Sequence, residues 1–112
     1  MKERIERVYN LQKKNFIYSP FIKELSLANH FKELQLEIEE AKVELNKEDW
    51  PAFKDEMGDV LWDCLGVIGR AEIEGHFTMN EVLDHIHQKF TERKPYLLEE
   101  RHVTIEEESK IW

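Results

Sequence analysis

Two short motifs in this sequence place carboxylates at fixed helical spacing. Glu37 and Glu40 form an ExxE pair, and Glu56 and Asp59 form an ExxD pair. Residues three or four positions apart share a face of a helix, so each pair would present its carboxylates side by side. Ligand sets made only of oxygen suit hard cations such as Mg²⁺ or Mn²⁺. The spacing therefore predicts a divalent-metal site if the two motifs lie on neighbouring helices.

Further acidic residues extend both motifs into strips. Glu33 and Glu44 share the helical strip of the ExxE pair, and Asp63 shares that of the ExxD pair. Apolar residues, among them Leu36 and Val43, border the first strip, whereas an ordinary exposed glutamate row lies opposite the core and alternates with lysines. Carboxylates crowded between apolar faces repel one another and lose hydration, so such a cluster needs a cation or bound protons.

The elements that must position these strips are amphipathic helices. Apolar residues at steps of three and four predict one helix over 25–46 and another that runs from Trp50-Pro51 to Gly75, a residue suited to a left-handed helix end. Two antiparallel helices joined by a short connection would bring the acidic strips together.

The remaining elements are read from capping signals and breaks. Residues 2–14 predict a short amphipathic helix that ends before Ser19-Pro20. Capping-box spacing at Thr78 opens a helix over 79–92, and the same spacing at Thr104 opens a terminal helix that still runs at Trp112.

Composition fits one small, highly charged domain. The chain has 112 residues, of which 41% are hydrophobic and 36% charged, and its net charge is -8. That charge argues against a nucleic-acid partner, because such binding depends on cationic groups that neutralise phosphates. Cys64 is the single cysteine, which excludes an intrachain disulfide and fits a cytoplasmic location. Because the sequence has no long apolar run, we expect no export and no membrane insertion.

These observations predict an all-α fold: an antiparallel bundle of about four helices in a single domain over 1–112. Residues 25–112 form its helical core, and 1–24 are an N-terminal segment of unclear role. Trp62 lies on a strip with Gly58, Gly66 and Gly69, which would allow close approach of another helix or subunit. We interpret Trp62 as a packing residue, with base stacking as the alternative. Because the apolar and glycine strips exceed what one small bundle buries, we expect a homodimer or higher homo-oligomer.

The two acidic motifs resemble the ExxE…ExxD signature of the MazG nucleotide pyrophosphohydrolases, a branch of the all-α NTP pyrophosphatase superfamily. The run Asp55-Glu-Met-Gly-Asp-Val-Leu-Trp62 is similar to the family's EE(L/M)GDLL(F/W) segment, and Lys89-Phe-Thr-Glu-Arg93-Lys94-Pro95 looks like its KFxRR segment. The resemblance covers roughly residues 30–112. His87 replaces an asparagine common before the KF pair, and the family's N-terminal glycine-and-tryptophan motif is absent.

The resemblance implies a nucleotide pyrophosphohydrolase that cleaves a nucleoside triphosphate substrate to the monophosphate and pyrophosphate and so cleans the nucleotide pool. It makes Glu37, Glu40, Glu56 and Asp59 the ligands of Mg²⁺, with Mn²⁺ as a possible substitute, and Glu40 the general base. In the same way it makes Lys89, Arg93 and Lys94 the contacts to the phosphates.

Other functions remain open from the sequence. A phosphoribosyl-ATP pyrophosphohydrolase or a dUTP or dCTP hydrolase of the same superfamily would share the carboxylates and differ at the base. A non-catalytic helical oligomer that serves as an interaction module would need no intact site. A ferritin-like di-iron protein requires Glu-x-x-His on two helices, and Asp84-x-x-His87 is only a partial match. We interpret His85 as a helix-surface residue.

Overall fold

The computed structural model describes residues 1–111, which form seven helices and no strand. In chain order the helices are α1 (Lys2–Tyr18), α2 (Pro20–Glu24), α3 (Leu27–Asn46), α4 (Trp50–Ile73), α5 (Met79–Arg93), α6 (Tyr96–Glu99) and α7 (Ile105–Ile111). The all-α prediction is confirmed, but the expected count of about four helices is wrong. Helices α2 and α6 have five and four residues, too few for an apolar period to be read from sequence.

The chain divides into two compact units. The first, Met1–Thr78, contains α1 to α4, and the second begins at Met79 and contains the remaining helices. In the first unit α3 packs along α4, and α1 contacts both α2 and α4. In the second unit α5 contacts α6. The predicted single domain over 1–112 stays a prediction.

A three-residue turn over 47–49 reverses the chain between α3 and α4. Glu48 adopts a left-handed backbone conformation with φ 55°. Its N–H donates to the Leu45 carbonyl at 3.0 Å, and the Asp49 N–H donates to the Glu44 carbonyl at 3.2 Å, which together form a Schellman motif. The Asp49 carboxylate then accepts from the Ala52 N–H at 3.2 Å and caps α4. The turn thus fixes the register of the two helices that carry the acidic motifs.

Gly75 ends α4 as the sequence predicts. It has φ 80°, its N–H donates to the Glu72 carbonyl at 3.1 Å, and the His76 N–H donates to the Ala71 carbonyl at 3.0 Å. This is a second Schellman motif, and here glycine avoids the steric cost that a Cβ brings in the left-handed region.

Helix α1 approaches α4 closely because two glycines leave room for it. A Cβ on Gly69 would lie 2.9 Å from the Phe16 ring, and one on Gly66 would lie 3.1 Å from Gln12 Nε2. That nitrogen donates to the main-chain carbonyl of Trp62 at 2.8 Å. Phe16 and Gln12 are both buried. The glycine strip therefore admits another helix, as predicted, and that helix is α1.

The boundaries of the outer helices differ slightly from the predictions. Helix α1 continues to Tyr18, and Ser19 marks the predicted break by accepting from the Ile22 N–H at 3.3 Å. Thr104 Oγ1 accepts from the Glu107 N–H at 3.1 Å and opens α7 as its capping spacing predicts. The predicted continuation of this helix through Trp112 lies outside the described residues.

Among residues 1–111, none of the helices combines the length and apolar character that crossing a lipid bilayer requires.

Candidate metal centre

Three of the four predicted metal ligands converge between α3 and α4. Glu37 on α3 and Glu56 and Asp59 on α4 each offer a carboxylate oxygen, and these three atoms lie within 4.8 Å of one another. Glu37 and Glu56 are partly buried, whereas Asp59 is exposed. Because the two helices are antiparallel and joined by a short turn, the ExxE and ExxD motifs meet side by side.

Glu40, the fourth predicted ligand, lies at the exposed edge of this cluster. Together with burial, its negative charge raises the pKa of both Glu37 and Glu56, which places its carboxyl group close to theirs. No oxygen of Glu40 is among the three atoms that converge, but its carboxyl group lies close to two of those three residues, Glu37 and Glu56. The structure therefore brings all four predicted ligands into one group.

Burial and like charge make ionisation of this group unfavourable. Burial raises the pKa of Glu37 from 4.5 to about 7, and the charges of Glu40 and Asp59 add to the effect. Burial, followed by the charges of Glu40 and Asp59, also raises the pKa of Glu56. Without a cation, these carboxylates hold protons at a pH where an isolated glutamate does not.

Two oxygen atoms in the cluster favour a bound cation. Glu37 Oε2 and Glu56 Oε2 are buried and have no hydrogen-bond partner among the described residues. A buried carboxylate oxygen without a partner is costly, and a metal ion supplies both the partner and the missing positive charge. The donors are all carboxylate oxygens, which fit Mg²⁺ or Mn²⁺. On the chemistry of its donors, the site fits a hard divalent ion.

The acidic strip extends from the cluster toward Glu33 and Asp63, away from the turn over 47–49. It does not extend in the same way toward that turn. Burial, then the charges of Glu33 and Asp59, raises the pKa of Asp63. Glu44, which the sequence places on the same strip, instead forms an ion pair with Lys47 at 3.7 Å. The two residues of this pair are three positions apart, a spacing that also places side chains on one face of a helix.

Sequence reasoning missed the polar residue one turn beyond Glu33. His30 is only 6% exposed, and its ring lies 5.3 Å from that of Phe16. Burial, followed by the positive charge of Arg70, lowers the pKa of His30. The only sequence signal for a role of His30 is its position on α3. Its burial depends on the docking of α1, which cannot be predicted from the sequence.

The predicted phosphate contacts lie in the second unit. Lys89 and Arg93 share one face of α5 and line a groove of about 360 Å³ with His85, Gln88 and Glu92. Lys94 follows the end of α5, and its ammonium pairs with the Glu108 carboxylate at 3.3 Å. That hydrogen bond is the main reason why the pKa of Lys94 is raised. Lys89 and Arg93 thus lie on the same face of α5, as their four-residue spacing predicts.

The fold and the site together define a class: an all-α protein whose antiparallel helix pair carries a carboxylate centre for a hard metal ion. The family model of the MazG nucleotide pyrophosphohydrolase domain matches residues 25–98. Because this match spans more than half of the chain, the protein belongs to the MazG family. Helix α1 precedes the matched segment.

A solved structure supports this assignment. The fold is similar to the crystal structure of a MazG-related protein from Thermotoga maritima, with a TM-score of 0.90 and 27% sequence identity. The alignment covers 96% of this chain and 94% of that one, so the similarity extends into the segment before residue 25. A comparison with curated protein sequences finds no match.

Proposed function

We propose that this protein is a Mg²⁺-dependent nucleoside triphosphate pyrophosphohydrolase that cleans the cytoplasmic nucleotide pool. It would convert an NTP or dNTP and water into the nucleoside monophosphate and pyrophosphate. The observation that carries the proposal is the convergence of Glu37, Glu56 and Asp59, with two buried carboxylate oxygens that lack partners. Membership of the MazG family supports the same reaction class.

Each carboxylate has a role in this proposal. Glu37, Glu40, Glu56 and Asp59 hold the metal ion. When bound, Mg²⁺ supplies positive charge against the phosphates and lowers the pKa of nearby water. Glu40 accepts the proton of the attacking water, because it is exposed and lies at the edge of the cluster where water has access.

Cations on and after α5 contact the substrate phosphates in this proposal. Lys89 and Arg93 line one groove, and the guanidinium can hold two phosphate oxygens at once. They stabilise negative charge on the departing pyrophosphate. Lys94 is the third cation, and a phosphate that contacts it must compete with the Glu108 carboxylate.

A substrate panel tests the proposal. Purified protein with Mg²⁺ should release pyrophosphate from one or more members of a panel of canonical and damaged NTPs and dNTPs, which includes dUTP, dCTP and phosphoribosyl-ATP. Glu56→Gln should abolish the release, whereas Glu39→Gln, the same change at an exposed glutamate of α3, should not. Release of single phosphate, or no pyrophosphate from any member, would contradict the proposal.

We also propose that the protein is a homodimer or higher homo-oligomer through the α3–α4 pair. Phe31, Ile38 and Leu45 recur every seven residues along α3 and are 50%, 47% and 43% exposed. Trp50 and Met57 repeat the same step on α4 and are also exposed. A continuous apolar surface of this kind is typical of an interface.

Light scattering at micromolar concentration tests the oligomer. The wild-type protein should have at least twice the monomer mass, and Ile38→Glu should lower that mass because it places a charge in the interface. Lys32→Glu, which adds a carboxylate on another face of α3, should leave the mass unchanged. A monomeric wild-type protein would contradict this proposal.

A further inference from the structure

A second groove lies beside the metal centre within the first unit. It has a volume of about 460 Å³ and is lined by Leu11, Lys14, Asn15, Tyr18 and Ser19 from the N-terminal segment and by Trp62 from α4. None of these residues belongs to the carboxylate cluster. All but Trp62 lie in the N-terminal segment over 1–24.

The groove is positioned to receive the part of a nucleotide that extends away from its phosphates. Trp62 follows Asp59 by three residues on α4 and directly precedes Asp63. At a rise of about 1.5 Å per residue, Trp62 lies roughly 4.5 Å farther along the helix axis than Asp59. A base linked through its sugar to phosphates at the cluster spans a distance of this order.

The groove also has the chemistry that a nucleobase requires. Trp62 and Tyr18 supply flat aromatic rings on which a base can stack. Asn15 Nδ2 donates to Gln12 Oε1 at 2.9 Å, which orients the amide and leaves its carbonyl oxygen as an acceptor for a base amino group. An apolar helix from a protein partner would bury Asn15 and Lys14 against groups that cannot satisfy them, so it fits this groove less well.

A hydrogen bond from a buried side chain to the main chain connects the two walls of the groove. Gln12 is 3% exposed, and its Nε2 donates to the carbonyl of Trp62 at 2.8 Å. This bond ties α1 to α4 through the backbone of Trp62, not through its indole ring. A substitution of the Trp62 side chain therefore leaves this hydrogen bond in place.

We propose that the groove between α1 and Trp62 binds the nucleobase of the triphosphate, with Trp62 as the stacking residue and Asn15 as a base-edge contact. This inference rests on the proposed function for the identity of the ligand. It makes Trp62 a specificity residue in addition to a packing residue, and it assigns a role in substrate recognition to residues 11–19.

Steady-state kinetics give the first test. Because stacking of a base on an aromatic side chain contributes about 1–3 kcal/mol, Trp62→Leu should lower kcat/KM for the best NTP by about 5- to 150-fold, mainly through KM. Inhibition by inorganic tripolyphosphate, which has no base, should be unchanged. Phe77→Leu, which removes an exposed aromatic ring outside the groove, should leave kcat/KM unchanged. Equal losses for the NTP and for tripolyphosphate in Trp62→Leu would overturn the inference.

Fluorescence gives a second test that does not depend on turnover. In the double variant Trp50→Phe/Trp112→Phe, Trp62 is the sole tryptophan. Nucleoside monophosphates with Mg²⁺ should quench its emission, and ribose 5-phosphate should not. Quenching in a protein that releases no pyrophosphate would support base binding while the proposed reaction fails. Pyrophosphate release without quenching, or equal quenching by ribose 5-phosphate, would overturn the inference.

Discussion

The seam between α3 and α4 carries polar groups at both of its ends, but α1 covers only one of these ends. At the end that α1 covers, His30 faces Gly66, and Gln12 reaches into the seam to hydrogen-bond with a main-chain carbonyl. At the open end, Glu37 meets Glu56 and Asp59, and two carboxylate oxygens have no partner among the described residues. The same pair of helices thus holds an imidazole and an amide that α1 covers at one end, and carboxylates that α1 does not cover at the other.

The difference lies in what can satisfy each group. His30 Nε2 also lacks a hydrogen-bond partner in the described part of the chain, but an imidazole can remain neutral at modest cost. Crowded carboxylates become neutral only if they bind protons, and burial together with the neighbouring negative charges raises the pKa of Glu37 to about 7. At neutral pH the open end therefore requires something from outside the chain, and the covered end does not. Unpaired buried polar atoms therefore indicate a binding site where no group of the protein neutralises their charge.

The largest expected effect separates loss of function from loss of stability. Asp59→Asn at the open end should lower Mg²⁺ affinity, measured by calorimetry, and pyrophosphate release by at least about 100-fold, because the ligand loses its charge. Gln12→Ala at the covered end should instead lower the free energy of unfolding by about 1–3 kcal/mol, because a hydrogen bond between α1 and α4 is lost and a buried side chain is truncated. If Gln12→Ala abolished metal binding in a folded protein, the two ends would not be separable.

Close packing at the covered end predicts a steric effect. Gly69→Ala should lower the free energy of unfolding by about 1–3 kcal/mol, because its Cβ would lie 2.9 Å from the Phe16 ring. Gly58 has no atom within 4 Å of an added Cβ, so Gly58→Ala should raise stability by up to about 1 kcal/mol through helix propensity. Urea denaturation measures both changes, and equal effects at the two glycines would contradict close docking of α1.

The carboxylate cluster should destabilise the metal-free protein at alkaline pH. The folded-state pKa of Glu37 is raised from 4.5 to about 7, so its stabilising protonation is complete below 4.5 and is lost as the pH rises through 7. In EDTA at pH 8, Glu37→Gln should raise Tm by several degrees relative to wild type, and the gap should narrow toward pH 5. Excess Mg²⁺ should raise the Tm of the wild type more than that of the variant.

Glu39→Gln removes the same charge from an exposed position on α3 and serves as the control. A rise in Tm of equal size in this variant would show that overall charge, not the cluster, determines the result.

The smallest expected effect has the opposite dependence on pH. Because burial lowers the pKa of His30, the unfolded chain binds a proton near pH 6.5 and the native protein does not. Stability from this group is therefore full above 6.5 and falls as the pH drops toward the folded-state pKa. Relative to His30→Leu, the wild type should lose stability in urea denaturation between pH 7.5 and 5.5. A difference that does not change with pH would contradict burial of a neutral imidazole.

Helix periods and motif spacing predicted the open end of the seam well. The motif spacing predicts two acidic helix faces that meet, and the structure places their four carboxylates together: Glu37, Glu40, Glu56 and Asp59. This succeeds because the spacing is local, within a single turn of each helix, and because a short connection leaves antiparallel packing as the simple arrangement. Gly75 was likewise assigned its left-handed conformation from residue type alone.

The covered end could not be predicted in the same way. The docking of α1 depends on the fit of Phe16 against Gly69 and of Gln12 against a main-chain carbonyl, contacts between residues that are about 50 positions apart. No periodicity encodes such a pairing. The left-handed Glu48 was missed for a different reason, since glycine or asparagine is the usual signal for that conformation. The role of Trp62 remained open because its groove exists only after α1 has docked.

The turn over 47–49 makes the carboxylate centre local in sequence. All four proposed ligands lie between residues 37 and 59, and closing a loop of this length carries a small entropic cost. Contacts of low sequence separation form early and fast. The ligand set can therefore assemble during folding through contacts within α3 and α4 alone.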